Sequence, residues 1–152
     1  MRCKTIAATV CMALATSAAA IEPGQWRSTT QIVEVTMPET MPAQVAQLVR
    51  QQLGDRALTS ANCITQDEID NAPERMFAES QGRCEYSRFD MADGTIQAAA
   101  QCQTDQGTMD MTMHGTYTAS AYAMTMEMQA QTPMGAMTFT SDISGERTGP
   151  CS

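Results

Sequence analysis

The stretch Met109-Asp110-Met111-Thr112-Met113-His114-Gly115-Thr116-Tyr117 decides the reading of this chain, together with Tyr122-Ala123-Met124-Thr125-Met126-Glu127-Met128 just after it. In both halves methionine alternates with polar or small residues, the period of a strand with one buried face. A short turn near Ala119-Ser120 joins the two as a hairpin. With Tyr117 paired to Tyr122, Met113 faces Met126 and Met111 faces Met128, and residues two apart share a face. One side of the hairpin then carries a methionine patch.

The flanking sequence extends the pattern. Cys84 to Met91 and Thr95 to Gln103 flank Ala92-Asp93-Gly94, a hairpin turn signal. Pro133 to Gly135 turns into a last strand, Ala136 to Arg147. Gly24 to Thr36, rich in β-branched residues, reads as the first strand, with Trp26 as a core anchor. A helix over 41–53 follows, with Thr40 as its cap, Pro42 in its first turn and Gly54 as its stop. Its apolar stripe of Val45, Leu48, Val49 and Leu53 is expected to lie on the sheet. Leu58 to Ile64 reads as a short strand. Thr65-Gln66-Asp67-Glu68 has the form of a capping box that opens a brief helix. Residues 71–82 read as polar and irregular. The fold class is mainly β (α+β): an antiparallel meander curved into a barrel or half-barrel, with one amphipathic helix after the first strand.

The N-terminal segment has a different character. Arg2 and Lys4 precede an apolar run from Ile6 to Ala15, too short to span a bilayer, and then the small-residue site Ala18-Ala19-Ala20. Residues 1–20 are expected to be a cleaved signal peptide, and 21–152 a single exported domain, periplasmic or extracellular. Val10 before Cys11 does not fit a lipoprotein signal, and no later run is long enough for a transmembrane helix. Without residues 1–20, seven basic residues, all Arg, stand against seventeen acids, a formal charge of −10. Such a surface repels phosphate backbones and anionic lipid, so nucleic acid is not an expected partner.

Four cysteines remain after Ala20: Cys63, Cys84, Cys102 and Cys151. An even number in an exported domain predicts two disulfides. Their spacing lacks the close pairs of a structural zinc site. A two-residue turn at Asp93-Gly94 places Cys84 opposite Gln103, with Cys84 and Cys102 on opposite faces. A three-residue turn instead sets Cys84 facing Cys102. The pairing expected here is Cys63–Cys84 with Cys102–Cys151.

Several pieces of the chain together resemble a known family. Pro23-Gly24-Gln25-Trp26 is similar to the Pro-Gly-x-Trp opening of domain-of-unknown-function family 3617. Cys63-Ile64-Thr65 resembles its Cys-hydrophobic-Thr step, and Cys84 and Cys102 fall where its middle cysteines would. The methionine hairpin resembles its Met-Thr-Met strands. Gly145-Glu146-Arg147-Thr148-Gly149-Pro150-Cys151 resembles its Gly-x-Arg-x-Gly-x-Cys ending. Ala119-Ser120 departs from the Gly-Asp usual at that turn. The resemblance implies an exported bacterial protein and assigns no activity.

Candidate chemistry centres on methionine, twelve of the fourteen lying beyond Ala20. A methionine face serves as core, as an adaptable apolar binding surface, or as a thioether site for Cu(I). His114 neighbours Met113 and so points to the opposite face. It has no evident nucleophile partner, and oxidised cysteines offer no thiolate. Asp67, Glu68 and Asp70 sit where helix-start duty accounts for them. Arg147 reads as a surface or structural ion pair. No catalytic residue, cofactor or metal site is assigned, and no enzymatic activity is expected. The expected function is non-catalytic: binding of a small apolar ligand, or a structural or interaction role with a protein partner. A periplasmic Met-rich Cu(I)-binding protein is the alternative. Met111, Met113, Met126 and Met128 form the apolar ligand face if they line an open cavity. A helix 41–53 packed over them would remove that site.

Overall fold

A computed structural model describes residues 20–53, 57–77, 83–104 and 107–151. The expected signal peptide, Ala20 apart, and the Gly54 helix stop lie outside these residues.

The elements run β1 (Gly24–Thr36), α1 (Ala43–Leu53), β2 (Ala57–Ile64), α2 (Gln66–Asn71), a 3₁₀ turn (Pro73–Phe77), β3 (Arg83–Ala92), β4 (Thr95–Thr104), β5 (Gly107–Tyr117), β6 (Ala121–Thr132) and β7 (Gly135–Gly149). The strands form one antiparallel sheet in the order β2-β1-β7-β6-β5-β4-β3. The meander is as read from the sequence, but the sheet does not close into a barrel. Closure would pair β2 with β3. The connection between them instead spends α2 and the 3₁₀ turn on covering one face, through Ile69, Met76 and Phe77.

That covered face is the core. Trp26 is fully buried and stacks on Tyr122, with ring centroids 5.6 Å apart. Its indole Nε1 donates to the Glu22 carbonyl at 3.1 Å. The Tyr122 and Ser28 hydroxyls share a 2.5 Å hydrogen bond. Stacking plus satisfaction of both polar tips lets two large rings fill the interior at no hydrogen-bond cost. Arg147 ties the chain ends together: Nε donates to the Pro23 carbonyl at 2.8 Å and lies 3.9 Å from the Glu22 carboxylate.

The helix after β1 departs from expectation. Of α1 only Ala46 is buried, while Val45 and Leu48 are 44% and 55% exposed. Its stripe therefore does not seal onto the sheet, whose core face is occupied by the α2–3₁₀ segment instead. Thr40 is not the cap either. Its hydroxyl donates to the Met134 carbonyl, and the first helical amides of α1 bond to the Pro42 carbonyl. The Thr65–Glu68 capping box forms as read: the Glu68 amide donates to Thr65 Oγ1 at 3.2 Å, and the Thr65 amide to Glu68 Oε2 at 2.8 Å.

The disulfides are Cys63–Cys151 and Cys84–Cys102, which corrects the expected pairing. The turn at Asp93-Gly94 is the two-residue kind, with positive φ at both residues and Ala92 opposite Thr95. Alone, that register would put Cys84 opposite Gln103. A bulge between Tyr86 and Arg88 inserts Ser87 and shifts the register by one, so Cys84 meets Cys102. Two disulfides suit an oxidising, non-cytoplasmic compartment. No helix among the described residues is long and apolar enough to cross a membrane.

Candidate functional site

The methionine hairpin has the expected register: Met113 faces Met126, Met111 faces Met128, and Tyr117 faces Tyr122. The four methionines share the covered face, with Met111, Met113 and Met126 2–4% exposed and Met128 partly buried. Helix 41–53 is not what covers them. The cover comes from residues 65–77, where Ile69, Met76 and Phe77 join the same cluster. Sequence reading missed Met76 and Phe77 because one turn of 3₁₀ helix is too short to show periodicity. The segment read as irregular thus supplies the lid of the core. Residues 78–82 of it are outside the described residues.

A half-open cavity of about 60 Å³ lies between the turn and the sheet. Met76, Met113, Met124 and Met126 line it, with Phe77 and Tyr122. The Phe77 ring meets Tyr122 edge-on at 5.5 Å. Ser60 and Asn62 from β2 contribute polar lining. Burial raises the Tyr122 hydroxyl pKa, and the Ser28 hydrogen bond offsets part of that rise. Elsewhere in the same core the Tyr86 hydroxyl is buried without a hydrogen-bond partner. Desolvation, and then the nearby Glu74 charge, raise its pKa.

The opposite face is polar. Asp142, Thr125, His114 and Gln97 lie in one row across β7, β6, β5 and β4. The Thr125 hydroxyl donates to Asp142 Oδ1 at 3.0 Å, so it is not aligned on the imidazole as a nucleophile. Asp67 and Asp70 accept from the Asn71 and Gln66 side chains along α2. Among the described residues no three His, Cys, Asp or Glu side chains gather to hold a metal ion.

No curated protein matches the chain, and no solved structure matches it. The family described as a protein of unknown function, DUF3617, matches residues 21–151, nearly the whole domain. The ordered set of Pro-Gly-x-Trp opening, paired cysteines and Gly-x-Arg-x-Gly-x-Cys ending is thereby accounted for, and the chain belongs to the DUF3617 family.

Proposed function

We infer that this is a non-catalytic interaction domain of the periplasm or extracellular space, which binds a protein partner by adding a strand at β2. The sheet is read as a half-barrel whose hollow is filled by residues 65–77, so the methionine face serves mainly as core. The observation that carries the reading is the contrast between the two sheet edges. β3 bears Arg83, Glu85, Arg88 and Asp90 and a bulge at Ser87, the devices that blunt an edge. β2 has none of them: Ala57–Ile64 holds no charge and no proline, and Leu58 is 68% exposed. An uncharged edge of this kind, in unbroken register with β1, accepts an extended segment through main-chain hydrogen bonds. The acidic surface favours a neutral or basic segment.

A photo-cross-linking residue at Thr59 is expected to yield a discrete protein adduct in cells, and one at Thr125 on the polar face none. Adducts from Thr125 with none from Thr59 would reject the assignment. A small apolar ligand on the methionine face has less support: small-molecule sites take about 300–1,000 Å³, against about 60 Å³ between that face and the 3₁₀ turn.

A further inference from the structure

The size and lining of the cavity suit a different occupant. The geometry points to a thioether site for a soft monovalent metal ion, Cu(I), held by Met76, Met113, Met124 and Met126. This site is independent of the edge-strand reading. The four side chains come from three separate elements, the 3₁₀ turn, β5 and β6, and converge on one space. That space is of the order of a water molecule or two, too small for an organic ligand and ample for an ion.

The donor chemistry selects the metal. Thioethers are neutral and soft, so they favour Cu(I) over hard cations. They need no deprotonation, unlike thiolate or carboxylate ligands, whose metal affinity falls with pH. The four cysteines among the described residues are spent in disulfides, so they offer no thiolate to compete. A single positive charge buried among neutral donors also costs less desolvation than a double one. The Tyr122 and Phe77 rings beside the cavity add attraction for a cation. The seventeen acids of the domain raise the local cation concentration at its surface. Met111 is buried on the same face but does not line the cavity, which makes it an internal control.

The test is an anaerobic titration of the purified exported protein with Cu(I), using bicinchoninate as the competing chromophoric ligand. One Cu(I) per chain should be withdrawn from bicinchoninate, with sulfur-only coordination by X-ray absorption. Met→Leu is close to volume-conserving, so the variants should fold. Met113→Leu and Met124→Leu are expected to weaken binding by about 10–100-fold, at least the scale known for loss of a supporting group around a metal. Met111→Leu should leave it unchanged. Failure to withdraw Cu(I) overturns the proposal. So does equal binding by the Met113→Leu/Met124→Leu double variant with native circular dichroism.

Discussion

Gly145 shows how tightly single residues are set in this fold. A Cβ built there would come within 2.2 Å of the Tyr122 ring. Tyr122 cannot retreat, because Trp26 stacks on one side and Ser28 holds its hydroxyl. Gly145→Ala is therefore expected to cost about 1–3 kcal/mol by overpacking, read from urea denaturation. Tyr122→Leu removes the obstacle, so the double variant should be less unstable than the sum of the two single changes. Additive losses would show that Gly145 is not limited by that ring. The Pro-Gly-x-Trp and Gly-x-Arg motifs meet at this same place. Gly24 has φ of +149°, and a Cβ on it would lie 2.4 Å from the Gly149 carbonyl. These motifs were visible as letters in the sequence, while their shared purpose, close packing of the first and last strands, was not.

Among the elements, α2 is marginal by length and depends on its start. The Thr65 amide and hydroxyl both donate to Glu68 Oε2. These hydrogen bonds, the backbone one first, hold the Glu68 pKa below the ordinary glutamate value. A pKa depressed by folding stabilises above the unfolded value, and that contribution is lost as pH falls through the folded value. The Glu68 carboxyl should thus titrate by NMR below about 4.3, the usual glutamate value. Thr65→Ala should move it up while the Thr65 amide bond remains. A Glu68 midpoint unchanged by Thr65→Ala would show that the hydroxyl is not part of the cap. The capping box was legible because it is local, four residues with a fixed hydrogen-bond pattern. The position of α1 was not. Its periodicity announces an amphipathic helix, but which surface a stripe meets depends on what else occupies the sheet. Here Met76 and Phe77 occupy it.

For the whole molecule, the two disulfides close loops of different size. Cys63–Cys151 spans 88 residues and pins the edge strand β2 to the C-terminal end of the domain, whereas Cys84–Cys102 spans 18 within one hairpin. Chain-entropy reasoning gives about 4.5 kcal/mol for the longer loop and about 3 for the shorter. Replacing Cys63 and Cys151 with serine should therefore lower unfolding stability more than replacing Cys84 and Cys102. The reverse order would mean that the buried Cys102 matters more through packing than through closure. The meander, the methionine hairpin and its register followed from alternation along neighbouring stretches, since strand pairing through short turns is a local property. The cysteine pairing did not, because one inserted residue, Ser87, reverses which side chains face each other, and nothing in its neighbourhood marks it as a bulge. Nor did the cavity, whose lining joins Met76 to Met113, Met124 and Met126 from separate stretches of the chain. The sequence alone determined which residues alternate, the capping box that opens α2 and how many cysteines must pair. Only the tertiary structure decided which face is covered and by what, because burial depends on competition among distant segments for one apolar surface.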